Sequence, residues 1–284
     1  TPDANGTATT KGKLVFGKNS YRNPQEWYIL GADSGVSGGK DNTIIFAASP
    51  IARDRMFEND WQNNKTEQNL WSDCNYNGTS ITEVFPNHYG ASDLRDTLQG
   101  MATNTSYFTS AEQGLMNATT VTTKDTKNKD SSGNYLTYTT TDKLYALQGD
   151  YNDTQQMLAG TSDSTVLARK CYWSSGNQFW LRSPDNDYFN YALIAIPGTY
   201  VHYDGVIAEI AVQPASNLNL SSVLFASAAT AASSDTAKSG TIASDKAMTL
   251  RLDGTGKDIG TVTYNTTTGD IKVVKGTTSQ TVAL

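Results

Sequence analysis

Short runs rich in apolar and aromatic residues, separated by turns, recur along the chain and predict β-strands. The runs in the first fifty residues are Lys13–Phe16, Glu26–Leu30 and Thr43–Ala48. From residue 179 onward the runs are Phe179–Leu181, Ala192–Ile196, Tyr200–Tyr203 and Val206–Val212. The dipeptide Asp204-Gly205 is typical of a two-residue hairpin turn, so we expect the last two runs to pair with each other.

Helical patterns are confined to short segments in the middle of the chain. Ser92–Ala102 starts with a good N-cap residue and repeats apolar residues at helical spacing, which predicts a helix. Thr109–Glu112 has the pattern of a capping box and predicts the start of a second helix. Asn152–Ala159, followed by Gly160, predicts a third. Ala118–Tyr138 is instead typical of a β-hairpin.

Composition changes after Pro214 and predicts a second unit. Ala226–Lys238 is rich in alanine and serine, and three strand-like runs follow, at Met248–Leu252, Gly260–Tyr264 and Asp270–Val274. We therefore expect a flexible lead-in at residues 1–10, a main domain at 11–225 and a partial immunoglobulin-like β unit at 226–284.

The overall composition excludes several classes of partner. Threonine, serine, asparagine and glycine dominate, and only 18% of residues are charged, which suits a β-rich protein with an uncharged polar surface. The net charge of −6 and the lack of a basic run argue against nucleic acid as a partner. No apolar stretch reaches the length of a membrane span, which argues against direct membrane insertion.

Motifs that would identify an enzyme are missing from the sequence. The two histidines, His88 and His202, do not stand in a metal-binding motif, and the glycine-rich segments at 35–39 and 254–260 do not have phosphate-loop or dinucleotide-binding spacing. Asp185, Asn186 and Asp187 offer oxygen ligands for calcium, but they also suit a plain Asx turn. We expect no cofactor, no metal and no catalytic residues.

Two cysteines, Cys74 and Cys171, also lack metal or redox spacing. They can form one disulfide, which would close a long loop and stabilise the fold by about 3–5 kcal/mol. They can equally be two free thiols in the core, where cysteine packs as a small apolar residue. The sequence leaves both alternatives open.

The segment from Gln178 to Asn219 carries a resemblance to a known family. Its Trp-Leu-Arg-Ser-Pro run resembles the hallmark of an uncharacterised family of secreted domains from gut Gram-positive bacteria. The matching residues there are Trp180, Leu181, Arg182, Ser183, Pro184, Gly205, Pro214, Ala215 and Leu218. Upstream matches are Trp27, Ser92, Leu94, Arg95, Asp142, Lys143 and Leu144. Gln213 departs from the pattern, since the family usually has arginine before the proline.

This resemblance, which spans about residues 13–225, implies a fold and a location. The family resembles the C-type-lectin-like fold shared with formylglycine-generating enzymes, so we expect an α+β domain with a small twisted antiparallel sheet and two or three short helices. It also implies a secreted or cell-surface protein. The chain starts at Thr1 rather than methionine, and we expect that a signal peptide has been removed.

Tyrosine and asparagine follow the Trp-Leu-Arg-Ser-Pro run and predict a binding surface. Such side chains give contact area at low entropic cost when they are exposed. The predicted ligand-binding residues are Tyr188, Phe189, Asn190, Tyr191, Tyr200, His202 and Tyr203. The alternative is that about half of these aromatic side chains pack under the sheet. The motif itself is predicted to be structural, with Trp180 and Leu181 in the core and Arg182 bonded to loop carbonyls or a carboxylate.

These observations predict a binding or adhesion module that recognises a glycan or a protein. The alternatives are a structural stalk or pilus-type subunit, favoured by the trailing β unit, and an oxidase of the formylglycine-generating type. Such an oxidase requires its active-site cysteines to be adjacent, and nothing in the sequence brings Cys74 and Cys171 together.

Overall fold

The computed structural model describes residues 13–32, 42–150, 156–158, 167–169, 177–196, 200–220, 223–228, 248–252, 261–264, 271–275 and 278–282. Within these ranges the protein is mostly β, with several separate sheets. The described part contains two α-helices, α1 at Asp93–Thr103 and α2 at Ser110–Leu115.

The strands are short and follow one another closely. The first eight are β1 Lys13–Lys18, β2 Pro24–Ala32, β3 Asn42–Ala47, β4 Ala52–Arg55, β5 Lys65–Thr66, β6 Glu83–Val84, β7 Thr119–Lys129 and β8 Tyr135–Asp142. The next eight are β9 Gln148–Gly149, β10 Gln156–Leu158, β11 Leu167–Arg169, β12 Phe179–Pro184, β13 Tyr191–Ile196, β14 Tyr200–Gly205, β15 Ile210–Val212 and β16 Ala215–Asn219. The last are β17 Val223–Ala228, β18 Met248–Leu252, β19 Thr261–Tyr264, β20 Ile271–Lys275 and β21 Thr278–Val282.

Two larger sheets organise the described strands. One has the order β16-β3-β2-β1-β18-β17, and the other has the order β14-β13-β12-β15-β4. Most neighbours are antiparallel, but β1 pairs with β18 and β12 pairs with β15 in parallel. Strands β7 and β8 form a separate hairpin, β5 pairs with β6, and β9–β11 and β19–β21 form three-stranded sheets.

The expected α+β C-type-lectin-like fold is wrong. The structure is mostly β, and its strands are divided among several sheets rather than one small sheet flanked by helices. The predicted third helix at Asn152–Ala159 is also wrong, because Gln156–Leu158 is strand β10, paired on both sides with β9 and β11. Glutamine, methionine and leucine are good helix formers, so pairing with β9 and β11 overrides the local helix propensity there.

The two other predicted helices are confirmed together with their caps. The Ser92 hydroxyl accepts from the backbone N–H of Arg95 at the start of α1. At α2, the Thr109 hydroxyl accepts from the Glu112 N–H, and the Glu112 carboxylate accepts from the Thr109 N–H in return. The Glu112 carboxylate also accepts from the Gly17 N–H at 2.9 Å, which attaches this short helix to β1.

The hairpin predicted at Asp204-Gly205 is wrong, although Tyr200–Tyr203 is a strand as expected. Strand β14 pairs back with β13 along its whole length, while β15 lies on the other side of β12. Val206 explains the change of direction. Its side chain is fully buried, its N–H donates to the Asn190 carbonyl, and its own carbonyl accepts from the Phe57 N–H. The chain is thereby held at Val206 and cannot continue the hairpin.

The division of the chain at residue 226 remains a prediction, as does the immunoglobulin-like character of the last residues. Strand β18 was predicted correctly, and it pairs with β1 with Leu14 opposite Met248. The six-stranded sheet therefore includes strands from both sides of the predicted boundary.

Among the described residues, no helix is long and apolar enough to cross a membrane.

The core lies against the two larger sheets. One buried cluster includes Phe16, Trp27 and Trp180, and a second includes Phe46 and Phe179. Neighbouring residues of β12 therefore pack on opposite sides of the strand, as alternation requires. The Trp180 indole N–H donates to the Arg55 carbonyl at 2.7 Å, so even the polar atom of this buried ring has a partner.

A buried arginine fixes β12 to the neighbouring segments. Arg182 is 1% exposed, and its guanidinium donates to the carbonyls of Thr122 and Ala146 and to the side-chain oxygen of Gln148. Burial lowers the pKa of Arg182 from its ordinary value because the charged form is desolvated. The charge is stabilised by carbonyl dipoles, and the end of β12 is thereby fixed in place.

A second buried arginine attaches α1 to the hairpin of β7 and β8. The Arg95 guanidinium bonds to the Asp142 carboxylate at 2.8 Å and to the Asp73 carboxylate at 2.5 Å. The Arg95 and Asp142 side chains are fully buried. Removing one member of such a pair leaves a buried charge without its partner, so this contact strongly constrains how the helix and the hairpin meet.

We predict that Trp180→Ala lowers the free energy of unfolding by about 3–5 kcal/mol, as truncation of a core aromatic ring does. Denaturant unfolding followed by circular dichroism measures this change. The control is Trp61→Ala, since Trp61 is 37% exposed and should cost less than half as much. Equal effects of the two substitutions would contradict the placement of Trp180 in the core.

Candidate functional site

The candidate site is the loop between β12 and β13 together with edge strand β14. Tyr188 is 52% exposed and Phe189 is 44% exposed, whereas Asn190 and Tyr191 are partly buried. Strand β14 is one of the two edge strands of the described five-stranded sheet. The two elements are adjacent because β13, which follows the loop, pairs with β14.

A buried carboxylate shapes this loop from inside. Asp185 is only 5% exposed, and its Oδ1 accepts from the N–H groups of Asp187 and Tyr188, each at 2.9 Å. The Asp185 N–H in turn donates to the Tyr191 carbonyl. This is an Asx turn, one of the two alternatives that the sequence left open. Within the described residues, no three His, Cys, Asp or Glu side chains come together as a metal site.

The loop is also held by a side chain that the sequence did not identify. The buried Asn87 carboxamide donates to three loop carbonyls, those of Asp185, Tyr188 and Tyr191, at 2.9–3.3 Å. Its oxygen accepts from the Thr126 hydroxyl. An unpaired buried carbonyl is costly, so one amide group that serves three carbonyls strongly favours this loop shape.

Aromatic side chains on the loop and the edge strand contact one another. We call Tyr188, Phe189, Tyr191, His202 and Tyr203 the aromatic patch. The ring centroids of Tyr188, Tyr191 and Tyr203 are 5.3–6.0 Å apart, and His202 lies 4.6 Å from Tyr203. Four of the predicted ligand-binding residues thus form one connected group of rings.

The fifth member of the patch makes its contact on another side. Phe189 packs on Phe85, with ring centroids 5.8 Å apart. Lys127 lies over the Phe85 ring and forms an ion pair with Glu83. Next to it, Lys124 donates to the Asn186 side chain at 2.7 Å. The hairpin of β7 and β8 therefore supplies a polar edge to the patch.

The structure brings together most of the predicted binding residues, and none of those with a described side chain is fully buried. Asn190 takes part through its backbone carbonyl, which accepts from Val206. The side chain of Tyr200 lies outside the described residues. Sequence reasoning missed Asn87 and Phe85, because their loop partners come about a hundred residues later.

A second polar cluster lies inside the protein, between the hairpin and the segment before α1. The Tyr76 hydroxyl is 2.6 Å from both His88 Nε2 and a carboxylate oxygen of Asp125. The rings of Tyr76 and His88 stack with Tyr138. Since the tyrosine donates to the carboxylate, the histidine nitrogen donates to the tyrosine.

Burial controls the protonation of this inner cluster. Desolvation lowers the pKa of His88 to about 4 and raises the pKa of the nearby Cys74 thiol to about 12. At neutral pH the imidazole and the thiol are both uncharged, whereas a nucleophilic cysteine needs a lowered pKa. These uncharged side chains are therefore suited to packing in the protein interior. Cys74 carries a free thiol in the structure. The other cysteine of the predicted disulfide, Cys171, lies outside the described residues.

Comparison with known protein families gives a match. Residues 75–220, which include Asn87, β12 and the whole aromatic patch, match the model of a family described as a domain of unknown function, DUF6273. Because the match covers more than half of the chain, the protein belongs to this family. No curated protein matches the chain, and no solved structure matches it.

We predict that Asn87→Ala costs about 2–3 kcal/mol, because it removes the buried amide that bonds three loop carbonyls and leaves those of Tyr188 and Tyr191 with one backbone donor each. It should also speed cleavage by chymotrypsin after Tyr188 and Phe189, since the loop loses its anchor. Thermal unfolding and timed proteolysis measure the two effects. Asn186→Ala, at an exposed position of the same loop, is the control and should change neither by much. Unchanged cleavage in Asn87→Ala would contradict the anchoring role.

We predict that the free energy of unfolding depends on pH through the protonation of His88. The unfolded imidazole gains its proton near pH 6.5, but the folded one only near pH 4, so lowering the pH between these values favours unfolding. The resulting loss in the free energy of unfolding reaches about 3 kcal/mol at most.

The measurement compares wild type with His88→Gln from pH 7 to pH 4. The stability advantage of the wild type should shrink as the pH falls, while the carboxylates common to both proteins cancel. Parallel stability curves would show that His88 is not buried in its neutral form.

Proposed function

We propose that this protein is a binding module that recognises a glycan or protein ligand through the aromatic patch. The observation that carries the proposal is the combination of exposed rings with an anchored backbone. Tyr188 and Phe189 are about half exposed, yet the carbonyls beside them are bonded to the buried Asn87.

This combination supports recognition for a physical reason. A flexible loop loses conformational freedom when it binds, and that loss subtracts from the affinity. The Asx turn and the Asn87 contacts order the loop before any ligand is present. Tyrosine rings then add contact area with few rotatable bonds.

We further propose that the module acts outside the cell, secreted or attached to the surface. The polar, weakly charged composition and the resemblance of the Trp-Leu-Arg-Ser-Pro segment to secreted domains support this location. The last three strands, β19–β21, which form a sheet of their own, would then serve as a spacer between the module and its attachment point.

We predict that Tyr188→Ala and Phe189→Ala each weaken ligand binding by about 1–2 kcal/mol. Because both side chains are exposed, the free energy of unfolding should stay within about 0.5 kcal/mol of the wild type. Binding of the labelled protein to a glycan array and to intact cells provides the measurement, and chemical denaturation checks stability.

The matched control is Tyr21→Ala, because Tyr21 is 66% exposed but lies in the turn between β1 and β2. It should bind like the wild type. If the loop variants bind as well as Tyr21→Ala does, the patch is not the binding surface. A structural stalk subunit would then be the favoured function.

A further inference from the structure

Three tyrosines of the aromatic patch form a group with its own geometry, which we call the tyrosine triad: Tyr188, Tyr191 and Tyr203. Each ring contacts the other two, at centroid distances of 5.4, 6.0 and 5.3 Å. The planes are inclined to one another by 52°, 49° and 86°. The rings thus form a compact group with no shared plane.

This geometry favours one kind of ligand group over another. A flat sugar face stacks best on a flat aromatic platform, and three tilted rings do not provide one wide enough to use them together. A roughly spherical organic cation has no such requirement. The centroids are close enough for a single cation to lie within about 6 Å of all three, the range in which cation–π attraction acts.

The charges of the surrounding segment also favour a cation. Residues 183–220, which carry the whole patch, contain Asp185, Asp187, Asp204 and Glu209 but no lysine or arginine. On the adjoining hairpin, Lys124 is bonded to Asn186 and lies over the Tyr135 ring, and Lys127 is paired with Glu83. Asp185 is buried and bonded within the loop, so Asp187 and Asp204, which adjoin Tyr188 and Tyr203 in the sequence, supply the attraction for positive charge.

We infer that the tyrosine triad binds an alkylammonium group of the ligand. This inference rests on the proposed function and names the chemistry that the patch recognises. A quaternary ammonium on a surface polymer and the primary ammonium of a lysine side chain share that chemistry. Tyr188 is the most exposed of the three rings and offers the clearest position for a test.

The experiment titrates the whole chain with choline, with butylammonium, and with 3,3-dimethylbutan-1-ol, the neutral isostere of choline, at constant ionic strength. Amide shifts of the loop in heteronuclear NMR report binding. We expect saturable shifts with choline or butylammonium and at least about fivefold weaker binding of the neutral isostere. Binding of choline alone identifies a quaternary group, and comparable binding of butylammonium identifies a lysine-type group.

Variants at Tyr188 separate the aromatic face from simple hydrophobic contact. Tyr188→Phe keeps the ring and should bind the cation within about twofold of wild type, whereas Tyr188→Leu should bind about five- to tenfold more weakly. Tyr21→Leu is the control and should leave binding unchanged. Equal binding of choline and its neutral isostere, equal binding by the phenylalanine and leucine variants, or no saturable shift with either cation would overturn the inference.

The proposed function is judged separately. If neither cation binds but Tyr188→Ala still loses binding to cells or to the glycan array, the patch remains the binding surface and the ammonium assignment is wrong. If Tyr188→Ala also binds normally in those assays, both proposals fail.

Discussion

Three backbone carbonyls of the loop after β12 point to one buried carboxamide, and the candidate site depends on that contact. Asn87 donates to Asp185, Tyr188 and Tyr191, and Thr126 holds its oxygen. Asn87 comes shortly before α1, and Thr126 is in β7. The loop is therefore tied to two other parts of the chain. A different loop shape would break these three bonds and leave the buried Asn87 amide without its acceptors, which is costly.

The position of the loop follows from the buried arginine just before it. Arg182 fixes the end of β12 through carbonyls of neighbouring segments, so the chain leaves the sheet at a defined place. Asp185 then closes the Asx turn, and the tyrosines after it are presented next to β14. In this account the binding surface is ordered before a ligand arrives, and the cost of ordering the loop is met by folding rather than by binding.

Local features of this protein could be predicted from sequence, but its architecture could not. The cap bonds of Ser92 and Thr109 join residues only three positions apart in the sequence. Both helices therefore begin where the sequence predicts. The fold class depends on pairings such as β1 with β18, which are set by distant residues, and it was predicted incorrectly. The tyrosine-rich loop was found from composition, but Asn87 was not, since its partners lie 98–104 residues away.

Native-state hydrogen exchange of the loop amides, measured without ligand, tests the central claim most directly. The Asp187 and Tyr188 N–H groups donate to the Asp185 carboxylate, and the Tyr191 N–H donates to the Tyr188 carbonyl. The account predicts that these three amides exchange at least about tenfold more slowly than in an unstructured peptide, because exchange requires the anchored loop to open. Exchange at the rate of an unstructured peptide would contradict it, since the loop would then be ordered only on binding.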